Sequence, residues 1–284
     1  SNDDIIKLSH KLKIISELSH RSLLKFVGYS PIDFKKQSKP IIVTEFPSNG
    51  SLEDFLQIER IGKKIQGWND TKKLIIIFGI ASGMAYLHLH GIIHRSLKPS
   101  NIYLNDILTP KIGDVGLLTE FSNTDNITTQ SISGIKSIPT YSAPEVLQNN
   151  EYSLSSDVYA FSFIVYEIMT NDVPFDEIAN NNQKIKEIVM MDNRPTFKKE
   201  IPKSYRDLIE KCWSRDPAKR PSFDEIVHQL KYDKGFITND ISYEDYQKYI
   251  DFIEEEAKSS LHEDREFVIE LEEENNLEKI KEDI

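Results

Sequence analysis

Residues Ile92 to Asn101 read IIHRSLKPSN. An apolar pair leads into His94 and Arg95, then a lone hydroxyl at Ser96, with Lys98 and Asn101 following at short offsets. The segment sits between a long apolar stretch and a strand-like one, so it reads as a loop that carries or once carried chemistry. What Ser96 does among those basic and amide side chains decides between two cases. One is an enzyme with one odd residue, and the other is the frame of an enzyme without its reacting group.

Before the loop, Asn69 or Asp70 caps a long apolar helix running to His88 and ended by Gly91. Its greasiest run, LIIIFGI over Leu74 to Ile80, is too short for the roughly 18 consecutive apolar residues of a membrane span, and is expected to be buried. After the loop come two short strand-like pieces, Ile102 to Leu104 and Pro110 to Ile112, and then a loop-rich middle to Pro144. Further upstream, Ile5, Leu8, Leu12, Ile15 and Leu18 recur three or four apart, the spacing of one helical face. Leu23 to Tyr29 and Pro40 to Phe46 are β-branched and aromatic and read as a strand pair.

The second half is helical over Val158 to Thr170, Gln183 to Met191, Lys203 to Trp213 and Phe223 to Leu230. Ser51–Asp54, Ser222–Glu225 and Ser242–Asp245 each have capping-box spacing, in which a hydroxyl and a carboxylate satisfy free amides at a helix start. After the last box, Tyr246, Tyr249, Ile250 and Ile253 fall on one face. Strands first and helices afterwards predict an α+β arrangement.

The 284 residues carry 39% apolar residues and a net charge of −11. From Asp240 onward there are 17 acids against 5 bases, so the acidity is concentrated in the tail. That tail disfavours nucleic acid and anionic membranes, and it reads either as a solvated helical or disordered extension or as a partner surface. Cys212 is the single cysteine, so no intrachain disulfide forms, and no signal peptide is recognisable at the N-terminus. These features point to a cytoplasmic setting with protein partners. Cys212 and Trp213 are expected in the core, Trp68 as a plug between surface and core, His88 as a match to the helix dipole and His90 in solvent.

Read in order, H94-R-S-L-K-P-S-N101, D114-V-G116, A143-P-E145, Asp157 and R215-D-P-A-K-R220 resemble a protein kinase. The resemblance covers residues 3 to about 231, with the tyrosine-kinase-like group suggested by Cys212-Trp213 and the serine/threonine side by Lys98. It implies a kinase fold with a truncated N-lobe over about 1–47, a mainly helical C-lobe over about 48–231, and an acidic helical extension over 232–284. It implies that Asn101 and Asp114 hold Mg²⁺ and that Lys98 screens the transferring phosphate. It places Thr44, as gatekeeper, with Glu45, Pro47 and Tyr103 at the nucleotide.

The departures matter more. In the family the position of Ser96 is an aspartate that accepts the proton of the substrate hydroxyl, and a hydroxyl does not do this near neutral pH. A positioned general base is worth about 10² to 10⁴ in rate. The helix-C glutamate position falls on Lys11, or on His10 or Ile14 after a one-turn shift, and none is acidic. The threonine expected to touch the catalytic aspartate is Ile138, and Pro47 removes a hinge amide.

The glycine-rich loop and its strand-3 lysine do not occur between residues 1 and 284, and an opening Ser1 suggests that residues precede it. The resemblance also gives structural matches: Asp157 to the anchor of the catalytic loop, Glu145 and Arg220 to a buried ion pair, and His94, Ile15, Phe26 and Val115 to the column joining the lobes. Arg95 is matched to a phosphate on Thr128, Thr129, Ser131 or Ser133, whose other reading is ordinary loop hydroxyls.

Two readings follow: a pseudokinase that binds ATP and Mg²⁺ weakly or not at all and acts as a binding or allosteric module, and a serine/threonine kinase of weak or unconventional activity completed by an upstream N-lobe. A third makes the acidic tail the functional element.

Overall fold

The computed structural model describes residues 13–30, 32, 34–37, 41–115, 139–179 and 181–255. Lys11, His10, Gly116, Ile138 and the four loop hydroxyls from Thr128 to Ser133 lie outside the described residues.

The N-terminal part holds a helix, α1 (13–17), and two antiparallel strands, β1 (Phe26–Ser30) and β2 (Ile41–Thr44). Both strands are shorter than the apolar pattern predicts. A bulge between Phe26 and Gly28 leaves Val27 largely exposed. On α1 it is Ile14, with Leu18 one turn on, that packs against the core. Ile15, expected in the column, stays only half-buried, because it lies about 100° around the helix from that face. Phe26 is likewise half-buried.

The larger part is helical. α2 (Leu52–Arg60) starts at the Ser51–Asp54 capping box, with both reciprocal bonds made. α3 (Asp70–Leu89) is capped by Asn69, whose side chain accepts from Lys72 N. α3 has the length and apolarity of a membrane span, yet 67% of its most apolar window is buried within the protein, where it is the central core helix. The hairpin β3 (Ile102–Leu104) and β4 (Pro110–Ile112) follows, with the predicted bounds.

α4 (Pro144–Asn149) and α5 (Leu154–Thr170) come next, and α5 begins with an unexpected capping box between Ser153 and Ser156. Then come α6 (Asn182–Met190), α7 (Lys203–Cys212) and α8 (Phe223–Tyr232). α3 and α5 form the centre: α8 covers α3, and α7 covers α5. Cys212 and Trp213 are core residues, and Trp68 packs its indole against Phe55.

The last described helix, α9 (243–255), is part of this body. Tyr246, Tyr249, Ile250 and Ile253, the predicted face, are all buried. Phe78 of α3 meets the rings of Tyr246 and Tyr249 edge-on, and Tyr246 donates to Leu230 O at 3.0 Å. The N-terminus of α9 makes half a capping box: Asp245 N donates to Ser242 Oγ, while Ser242 N is taken by Thr71 Oγ1 of α3. The hydrophobic core thus runs past residue 231, while the acids Glu244, Asp245 and Asp251 of the same helix are exposed, as a solvated helical face requires.

Candidate active site

The loop after α3 is held from below by one buried carboxylate. Asp157, in the first turn of α5, is 2% exposed. Its Oδ2 accepts from His94 N at 2.7 Å and its Oδ1 from Arg95 N at 2.9 Å. Arg95 is thereby kept at φ 66°, a left-handed conformation that costs a non-glycine residue about 1–3 kcal/mol and persists only when neighbours over-determine it.

His88 also reaches Asp157, Nε2 to Oδ2 at 3.0 Å. A carboxylate there can only accept, so Nε2 carries the hydrogen. His88, a basic residue in the last turn of α3, is therefore also a partner of the loop anchor, because that turn points it inward at Asp157. His90 is exposed, as expected.

His94 is fully buried. Ser96 N donates to its Nδ1 at 3.2 Å, so Nε2–H donates to Gly113 O at 2.9 Å. The bond accepted by Nδ1 requires the neutral ring, and burial lowers its pKa against the opposing pull of Asp157 and the Gly113 carbonyl. Gly113 N in turn donates to Asn101 O at 2.8 Å. These bonds join the segment 94–101 to the residues just before Asp114. Val115 packs against the core there.

At the centre, Asn101 is 5% exposed, and its Nδ2 donates to Ser96 O at 2.7 Å and to Ser96 Oγ at 3.1 Å. Ser96 supplies an acceptor that holds Asn101 in place and supplies no charge. Among the described residues no carboxylate hydrogen-bonds Ser96 Oγ. Lys98 leads into the short turn Pro99–Asn101, and with Arg95, Ser96, Tyr141, Ser142 and Asp157 it lines a partly open cavity of about 40 Å³.

Asp114 is exposed at φ 51°. A carboxylate there and the amide oxygen of Asn101, which no hydrogen bond among the described residues uses, are the hard oxygen donors that Mg²⁺ takes. The pair fits that ion. Tyr103 packs its ring over Gly113, where an added Cβ would come within 2.7 Å of it. Burial, and then the charge of Asp114, raise its phenol pKa.

Thr44 is exposed at the end of β2, opposite Phe26. Glu45 N donates to Lys25 O at 2.9 Å, and the Glu45 carboxylate pairs with Lys111 at 2.9 Å. Burial raises its pKa, but the hydrogen bonds from Lys111 and Lys25 outweigh this and lower it. Pro47 follows, half-buried beside the almost fully exposed Phe46.

Further from the loop, Glu145 accepts a two-pronged bond from Arg220 at 2.6 and 2.9 Å, and the Arg220 side chain is 0% exposed. The family model described as protein tyrosine and serine/threonine kinase matches residues 1–230. The chain belongs to the protein kinase family. It is 33% identical over 263 residues to the dual specificity protein kinase pyk3 of Dictyostelium discoideum, covering 87% of this chain and 18% of that protein. It is 29% identical over 228 residues to the serine/threonine-protein kinase STY17 of Arabidopsis thaliana, covering 79% and 37%. It is 34% identical over 241 residues to serine/threonine-protein kinase 12 of Arabidopsis thaliana, covering 81% and 49%. The chain thus spans less than half the length of these curated relatives.

Within the kinase fold, sequence reasoning missed a buried acid. Glu167 of α5 is 4% exposed and is bonded by Arg60 Nη2 at 2.6 Å and by the Tyr141 hydroxyl at 2.5 Å. Burial raises the carboxyl pKa although both partners lower it. The signal was present, since a single acid in the apolar run VYAFSFIVYEIMT needs partners if buried. His20 was also passed over: its Nδ1 accepts from Ser22 N at 3.0 Å, and its Nε2 meets Ser82 Oγ of α3 at 3.2 Å.

Proposed function

We propose that this kinase domain is a pseudokinase, a binding or allosteric module with little or no phosphoryl transfer. The observation that carries the reading is Ser96 in the proton-acceptor position, with its hydroxyl bonded to Asn101 and no carboxylate of the described residues beside it. The frame supports it equally: Asp157, His94, Glu145 and Arg220 keep their structural bonds while the reacting group is gone. Nucleotide binding is weak or lost in this reading. Asn101 and Asp114 would hold Mg²⁺, whose chemistry in a kinase is to neutralise phosphate charge. Lys98 would add positive charge beside it.

A second reading is a serine/threonine kinase of weak activity. The retained Lys98, Asn101 and Asp114 favour it, as do relatives that all carry kinase names. Ser96→Asp separates the two in a phosphate-transfer assay on the full-length protein. If only the base is missing, transfer rises by about 10² to 10⁴. The pseudokinase reading expects it to stay at background, since the charge at Lys11 and the apolar Ile138 are also departures. A domain of this kind fits protein partners and a cytoplasmic setting.

A further inference from the structure

The segment between α1 and β1, residues 18–25, is where the N-terminal part leaves the helical body. It is tied to β4, through Leu24 N to Ile112 O at 2.9 Å and Ile112 N to Ser22 O at 2.7 Å, and it is held on two further sides. On one side stands α3: Ser19 N donates to the Tyr86 hydroxyl at 3.1 Å, and His20 Nε2 meets Ser82 Oγ at 3.2 Å. On the other stands α9: the Tyr249 hydroxyl lies 3.4 Å from Ser22 Oγ, and the Arg21 guanidinium sits 3.7 Å above the Phe252 ring. α9 is itself fastened to the body through Ser242 to Thr71, Tyr246 to Leu230 and Lys231 to Glu254. One helix therefore touches both the fixed core and the joint from which α1 and β1 extend.

We propose that α9 is a strap that sets the position of the 18–25 joint, and with it of α1, relative to the helical body. Two features argue that the contact is built and not incidental. Gly79, in the middle of α3, leaves room that a Cβ would fill: it would lie 2.4 Å from the Tyr249 hydroxyl and 2.5 Å from Pro110. A mid-helix glycine costs about 0.5–1 kcal/mol relative to alanine, so the close approach of α9 and β4 is obtained at the expense of helix stability. Phe252 is 41% exposed and serves the core little; its ring stacks on Tyr249 at 6.2 Å and lies under Arg21, on the joint.

The reading is independent of whether the domain transfers phosphate. Its test is amide hydrogen exchange on the full chain. Leu23 N and Leu24 N are bonded to His20 O and Ile112 O, so their exchange reports opening of the joint. In Phe252→Ala, and in Tyr249→Phe, which keeps the ring and so the fold, these amides should exchange about two- to fivefold faster, the range supplied by an exposed cation–π contact in the first and by one weak hydrogen bond in the second. The α3 amides should keep their rates. Arg21→Ala should reciprocally accelerate the α9 amides, because coupling between two sites acts in both directions. Joint exchange unchanged in both α9 variants, or acceleration shared equally by α3, would overturn the proposal and leave α9 as a passive cover.

Discussion

At the scale of single residues, the kinase loop keeps each hydrogen bond that needs an acceptor and loses the one group that needs a charge. A serine at position 96 satisfies Asn101 as a neutral acceptor, so the loop needs no carboxylate for its shape. This was legible in the sequence as a substitution and not as a geometry: nothing in HRSLKPSN says that Asn101 would turn its amide onto Ser96.

His20 gives a prediction of another kind. Ser22 N donates to its Nδ1 at 3.0 Å, so the folded chain holds it neutral, and burial, helped by the Lys111 charge, lowers its pKa to about 4 from 6.5. Between those two values the unfolded chain binds a proton that the folded chain refuses, so stability is lost as pH falls through that window, by about 3 kcal/mol at most. His94, also depressed by burial, acts in the same direction. Thermal midpoints measured from pH 7 to pH 4.5 should fall, and His20→Asn should flatten the slope. An unchanged slope would mean that His20 is not held neutral.

At the scale of elements, period and caps were readable, and burial was less so. β3 and β4 match their expected bounds, and the boxes at Ser51 and Ser222 form as the spacing requires. β1 and β2 are shorter than their apolar runs because a two-stranded sheet pairs only where register allows. At α9 composition marked the solvated acidic face, and only the 3–4 spacing of Tyr246, Tyr249, Ile250 and Ile253 marked the buried one. The contact of His88 with Asp157 was not readable, because periodicity gives the face of a helix, and what stands opposite that face comes from elsewhere in the chain.

Gly79→Ala tests the packing of α3 directly. Helix propensity alone would stabilise it, but overpacking against Tyr249 and Pro110 costs about 1–3 kcal/mol. The thermal midpoint should drop by a few degrees, and Tyr249→Phe in the same chain should recover part of the loss. A rise in the midpoint of Gly79→Ala would show that α9 and β4 yield freely.

At the scale of the whole molecule, the fold is a kinase frame in which distant parts are tied by a few buried polar pairs. Five motifs in order made that frame legible, because each marks a bond between segments far apart in sequence. The Arg60–Glu167–Tyr141 cluster was not legible, because its members belong to no motif. Arg220 also donates to Ser155 O, Ser214 O and Arg215 O, so Arg220→Met leaves Glu145 and three carbonyls without this partner. Loss of one member of a buried pair costs about 3–5 kcal/mol. Chemical denaturation should show a loss of that size, and one below about 1 kcal/mol would place the pair among surface ion pairs.

The most direct test of the central claim is phosphate transfer by the unaltered full-length protein, with ATP and Mg²⁺ and both a basic protein substrate and the protein itself as acceptors. The account predicts incorporation no greater than in a sample without enzyme. Turnover in the range of about 1–100 s⁻¹ usual for kinases would contradict it, and would mean that a proton leaves the substrate hydroxyl without an acidic group at residue 96.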